Sequence, residues 1–525
     1  MASTTSAPRT QLHHPAGLLD VLRVPVLGRM LRWRYGRLVL QTPFFIIALL
    51  LIYDGFTGPD QAYRNLATVA PWIHYRGIIV IVVLLLGNLF CMGCPFTIPR
   101  TLGKRLSLRK QRFPRALRNK WVALGSLMAL FFLYEWLDLW SSPALTAWVI
   151  VAYFIASFAL EAAFGESAFC KYVCPLGTFN FVYSTTGPTQ IGARDPEVCR
   201  TCVGKECVNG NYAPEPVIRI DQIATADGGT MDKRVEHGPQ GTPGCGLELF
   251  VPQIKTNLDC TMCLDCARAC PHDNVGLMVR SPGRELFRAD AWPRRWDVAF
   301  LVICLAALGL VNAFGMIPPV YDLMQNIAEG LGLVKAGLTD SAIEAIVLAL
   351  IFITGGLLIP VGVTLGVAWS SRALTESGPK YSLREIVTAF APAFVPIGLG
   401  IWFAHYTFHF LDGALMIVPV LQTFLADHGL TFLGGPDWTL RGIRNTDVIG
   451  AVQAVVLGGG FLWSMLLANR TSLRLYRRQA MPGFLPWAIV LVAMAAMAAE
   501  IFFNNTMEQR GTISFAMELG QSLVG

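Results

Sequence analysis

"GIIVIVVLLLGNLFCMGCPFTIPR", residues 77–100, passes through the uncharged apolar run Ile78 to Leu86 before it meets Cys91, Cys94 and Pro95. With its flanks, Trp72 to Phe90, the run is long enough to cross a hydrocarbon layer about 30 Å thick. Proline has no N–H to continue a helix, so the chain must turn where the two cysteines stand. The backbone groups freed by that turn have to face protein or water and not lipid. The stretch predicts a membrane helix that ends in a thiol-bearing turn, and the rest of the chain repeats the theme.

Of the 525 residues, 54% are hydrophobic and 15% charged, where a soluble domain carries about 25% charged residues. Beside Trp72–Phe90, apolar runs of spanning length lie at Leu38–Tyr53, Trp121–Leu137, Leu145–Leu160, Val298–Ile317, Ala342–Trp369, Ile386–Leu411, Val448–Leu467 and Phe484–Phe503. The expected fold class is an all-α polytopic membrane protein of about nine transmembrane helices, interrupted by one cysteine-rich polar insert. The division follows: a basic N-terminal segment 1–37, a four-helix membrane domain 38–174, the insert 175–295, a five-helix membrane domain 296–503 and a tail 504–525. The first 37 residues are polar and basic with no leading apolar segment, so a cleaved secretory signal is not expected.

Basic residues orient the helices, because short positively charged loops stay on the cytoplasmic side. Arg29, Arg32, Arg34 and Arg37 precede the first run, and the loop after Cys94 carries nine Lys and Arg from Arg100 to Lys120 with no acidic residue. The Asp54–Pro71 loop, by contrast, has Arg64 alone. The N-terminus and the cysteines are therefore expected in the cytoplasm of a bacterial inner membrane, with the C-terminus periplasmic. The net charge of +7 falls in loops beside helices, which fits anionic lipid as a counterpart and excludes nucleic acid as an expected partner.

Thirteen cysteines on the reducing side of a membrane point to metal binding, not to disulfides. "CTMCLDCARACP" places Cys260, Cys263, Cys266 and Cys270 in C-x2-C-x2-C-x3-C-P spacing, in which three thiolates hold one iron–sulfur cubane and the fourth ligates another. Zinc is the alternative, though it has no use for the fourth spacing. Upstream, "CRTCVGKEC" supplies Cys199, Cys202 and Cys207. One set is then Cys199, Cys202, Cys207 and Cys270, and the other Cys245, Cys260, Cys263 and Cys266. "AFCKYVCPLG" repeats the opening pattern with Cys170, Cys174 and Pro175 after the fourth apolar run. Cys91, Cys94, Cys170 and Cys174 form either a third cubane site or two thiol pairs, and Cys304, alone within the fifth run, is read as packing.

At these residues, over roughly 35–290, the chain resembles the polyferredoxin-type family of membrane 4Fe-4S electron-transfer proteins. That family includes the quinol-dehydrogenase membrane component of periplasmic nitrate reductase and the nitrous-oxide-reductase regulator. The resemblance implies that the insert is a cytoplasmic ferredoxin-like double-cluster domain. It further implies that electrons pass between the quinone pool and a redox partner such as a c-type cytochrome. Oxidase-assembly iron–sulfur proteins share the pattern, so reduction of copper for insertion into an oxidase is the alternative.

Ionisable residues inside a span are costly and mark function by default. His405 and His409, four apart on one helical face, are candidates for proton acceptance at a quinol site or for haem ligation with His74 as the second ligand. Glu161 and Glu344 are candidate proton carriers, with Glu135 and Asp138 nearer a helix end. His272, next to Pro271, is a candidate for tuning a cluster. "ALMIVPVLQTFLADHGL", Ala414 to Leu430, reads as an amphipathic helix on the outer face.

Overall fold

The computed structural model describes residues 19–99, 111–164, 166–212, 241–378, 380–440, 442–443 and 445–505. The first 18 residues, the basic residues Arg100 to Lys110, most of the insert between Cys207 and Cys245, and the tail from 506 lie outside the described residues.

The protein is mostly helical and membrane-embedded: among the described residues, seven helices are long and apolar enough to cross a membrane. All nine apolar runs are nevertheless built on helix. The count falls to seven because Trp121–Trp136 is shorter than a full span, and because the last two runs join into one continuous element, Thr446–Phe503. Within that element Arg477, at φ 50°, turns the chain between Thr446–Tyr476 and Ala480–Phe503. Ser472 Oγ donates across the turn to Ala480 O.

Two helices form the centre. Trp296–Phe314 and Leu383–Asp412 are each 89% buried over their apolar windows, against 28% for Gly36–Thr57 and 22% for Pro143–Ala163. The central pair packs closely because its contacts are small residues, the usual device where lipid offers no hydrophobic drive between helices. A Cβ on Gly398 would stand 2.9 Å from Ala306 Cβ. Pro392 opens a 3-10 turn at Ala391–Ala393 inside the Leu383–Asp412 span, where its missing N–H breaks the regular ladder. The Ile417–Asp427 helix is docked: Val420 is fully buried against Leu51, Leu66 and Val69.

Between the membrane domains the chain departs from all-α. β1 (Leu19–Asp20), β2 (Thr189–Ala193) and β3 (Val275–Val279) form an antiparallel sheet in the order β1-β3-β2, with Thr189 opposite Val279 and Ala193 opposite Val275. β1 lies within the N-terminal segment, which thereby pairs with the insert. Asp20 fixes it further by accepting from Arg194 Nε at 2.8 Å and from Leu277 N at 3.2 Å. β2 and β3 bracket the chain from Cys199 to Cys270, so the sheet holds both ends of the cysteine-rich stretch.

Candidate metal centre

The first cysteine set lies inside the helix layer. Gly87, at φ 71°, reverses the chain after Leu86, and Asn88 Nδ2 locks the turn by donating to Cys260 O at 2.8 Å. The short helix Leu89–Gly93 then folds back against its neighbours: Phe90 meets Tyr75 at 4.9 Å and Phe44 at 6.2 Å between ring centroids. The equivalent cysteines leave a π turn, Phe169–Val173, and Cys174 caps the Pro175–Tyr183 helix by accepting from Gly177 N at 3.2 Å. Cys91, Cys94, Cys170 and Cys174 line one small cavity together with Phe169, Leu176 and Asn180. Asn180 Nδ2 points at Cys91 Sγ from 3.6 Å, and the tyrosines Tyr75 and Tyr153 lie within range of the charge on these sulfurs.

The other eight thiols divide into two groups. Cys245, Cys260, Cys263 and Cys266 lie within range of one another's charge, as do Cys199, Cys202, Cys207 and Cys270. Around the first group Asp259, Met262 and Leu264 adopt positive φ, at 67°, 50° and 62°. That is uncommon for residues with a Cβ, and it coils the loop between its cysteines. In the second group Asn274 donates from its side chain to Cys199 Sγ at 3.2 Å and from its backbone to Cys270 Sγ at 3.5 Å. Burial pushes the Cys199 thiol up to about 11, and the Cys270 and Cys202 sulfurs push the same way. Burial likewise raises Cys207 to about 12, with Cys270, Cys199 and Cys202 adding to it.

The three groups stand in sequence: Cys260 is within range of Cys91, and Cys266 of Cys207. All thirteen cysteines are free thiols. Among the described residues, no group of three or more His, Cys, Asp or Glu side chains is placed to hold a single metal ion. One tetrahedral zinc would draw its thiolates to about 4 Å from one another, and the described thiols are not gathered into such a site. Cys304 is fully buried in the core of Trp296–Phe314, a packing position.

A second polar cluster lies toward the opposite end of the helices. His405 Nε2 and His409 Nε2 both meet Met316 Sδ, at 3.0 and 3.2 Å, with the two rings 5.4 Å apart. His405 is 1% exposed and its Nδ1 has no hydrogen-bond partner. Arg76 faces both histidines, its guanidinium stacked over Trp72 at 4.5 Å, Tyr134 at 4.1 Å and Tyr406 at 5.3 Å. Arg76 and Met316 escaped the sequence reading. Arg76 stands inside the Trp72–Phe90 run, and the helix begins ten residues before it, at Leu66, which carries it inward.

The remaining candidates scatter. His74 sets its ring nitrogens 3.2 Å from Val69 O and 3.1 Å from Ala414 O, so it is engaged with backbone and not turned toward His405. Glu161 is fully buried near the cysteine end of its helix; one turn before it, Ser157 Oγ donates to Phe96 O at 2.6 Å. Glu161 and the two histidines therefore sit at opposite ends of the layer. Glu135 accepts from Asn312 Nδ2 at 3.1 Å.

No family model matches this chain, and neither a curated protein nor a solved structure matches it.

Proposed function

We propose that this is a membrane electron-transfer protein linking quinol to a redox partner, such as a c-type cytochrome, through three 4Fe-4S clusters. Cys91, Cys94, Cys170 and Cys174 would hold the first, Cys245, Cys260, Cys263 and Cys266 the second, and Cys199, Cys202, Cys207 and Cys270 the third. When bound, such clusters accept and pass on single electrons. The insert is read as a ferredoxin-like domain on the cytoplasmic side of a bacterial inner membrane.

The observation that carries the reading is the grouping of twelve free thiols into three sets of four, with Cys91 within charge range of Cys260 and Cys266 within charge range of Cys207. The residues around them are suited to the task. Asn180, Gly177 and Asn274 direct N–H groups at sulfur, and such bonds favour the more negative, reduced state. Phe169, Phe181 and Leu176 keep water from the membrane set. His405 and His409, with Arg76 beside them, form the quinol end, where a neutral imidazole can take a proton as electrons leave.

A second reading, reduction of copper for an oxidase, is favoured by one feature: two imidazole nitrogens and a thioether are a ligand set that suits Cu(I). Arg76 weighs against it, because its fixed cation repels a metal ion and attracts an electron-rich oxygen.

Anaerobically purified protein, assayed for iron and acid-labile sulfide and titrated by EPR with and without a soluble quinol, tests the proposal. Three cubanes with at least one reducible by quinol support it. Bound zinc, or absence of sulfide after reconstitution, overturns it.

A further inference from the structure

Arg76 lies within a membrane span, roughly 15 Å along the Leu66–Leu86 helix from its start, and is 8% exposed. Among the described residues no hydrogen bond reaches its guanidinium and no carboxylate makes an ion pair with it. Its contacts are aromatic faces: Trp72, Tyr134 and Tyr406. A charge at this depth costs about 2.5–3.5 kcal/mol even on insertion scales, and stacking offsets part of that. What is missing is an anionic or electron-rich partner.

The surroundings define that partner. Flat aromatic walls favour a planar ring. His405, 1% exposed, carries a buried Nδ1 with no hydrogen-bond partner, a polar group that a ligand at the cation could satisfy. The place of Arg76 inside an apolar spanning helix, 8% exposed, favours a lipid-soluble ring over a phospholipid head group, which stays at the membrane surface.

We propose that Arg76 is the anion-recognising residue of a quinone head-group site, holding the ring oxygen on which negative charge gathers, with His405 as the second polar contact. The proposal rests on the quinol-linked reading above and gives that site its charge preference. It separates a quinone from the other lipid-soluble source of a negative oxygen, a fatty-acid carboxylate, by the planar aromatic walls.

The test uses the cluster-loaded protein in nanodiscs and calorimetric titration with 2-hydroxy-1,4-naphthoquinone, which is ionised at neutral pH, and with its neutral parent 1,4-naphthoquinone. Loss of a charge-assisted contact predicts binding of the anionic probe weakened about ten- to hundredfold in Arg76→Leu, with Arg76→Lys intermediate and the neutral parent little changed. His405→Gln should weaken both probes, and it serves as the second variant if Arg76→Leu fails to fold. Equal affinity of wild type and Arg76→Leu for the anionic probe, or no binding to wild type, overturns the proposal. Oleate binding as tightly as the naphthoquinone would reassign the site to a carboxylate lipid and also overturn it. Iron and sulfide content, measured on the same samples, score the electron-transfer reading separately: protein without clusters sinks that reading, while the ratio between probes still decides Arg76.

Discussion

Cys199 and Cys207 carry a consequence that can be checked without any cluster present. Burial, and then neighbouring sulfurs, raise their thiols from 9.0 to about 11 and about 12. A thiol with a raised value in the fold keeps its proton there at a pH where the unfolded chain has lost it. Its contribution to stability is thus complete below about pH 9 and is lost as pH rises through the folded values. Iron-free protein should melt at a nearly constant temperature from pH 7 to 8.5 and at a falling one from pH 9 to 11. Cluster loading should run the other way, improving with pH, because ligation displaces the same protons. Thermal melts of iron-free and reconstituted protein across that range measure both; a flat iron-free profile through pH 11 would remove the buried thiols from the account.

At the scale of elements, the close approach of two helices is the decisive feature of the second membrane domain. Gly460 faces Pro396 O and Gly400 Cα, so any side chain there must push the helices apart. Gly460→Leu should destabilise by about 1–3 kcal/mol, seen as a lowered melting temperature, whereas Gly458→Leu, with nothing within 4 Å of its Cβ position, should leave it unchanged. The apolar runs were legible in the sequence because a span needs only length and hydropathy. The break at Pro392 was legible too, from the missing N–H, whereas the turn at Arg477 was not, because it depends on tertiary packing. C-x2-C-x2-C-x3-C-P spacing likewise divides neighbouring cysteines between two groups, since four thiols on one tight loop cannot all face one centre. What spacing could not show was the reversal at Gly87 that carries Cys91 into the helix layer, or the pairing of Leu19 and Asp20 with β3. Both are long-range choices with no local pattern. Arg76 was hidden for a related reason: its meaning depends on Tyr134 and Tyr406, far away in the chain.

For the whole molecule the question is order. The buried cluster of Arg76, His405 and His409 lies toward one end of the helix layer and the line of thiols leads away from it, with Cys91, Cys94, Cys170 and Cys174 coming first. Tyr75 connects the two: it directly precedes Arg76, and its ring is within range of the Cys91, Cys94 and Cys174 sulfurs. If electrons enter at the histidine end, the membrane set is a necessary relay for the other two. Replacing Cys91 and Cys94 by serine should then abolish reduction by a soluble quinol at all three sites. The same protein treated with dithionite, which reaches the partly exposed Cys199, Cys202 and Cys270, should still show two reducible clusters by EPR. The reciprocal change, Cys199→Ser with Cys202→Ser, should leave quinol reduction of the membrane set intact and block only transfer to the outside partner. An insert still reduced by quinol in the Cys91/Cys94 variant would mean that electrons enter beyond the membrane set, and the order argued from Cys91 to Cys260 and from Cys266 to Cys207 would have to be reversed.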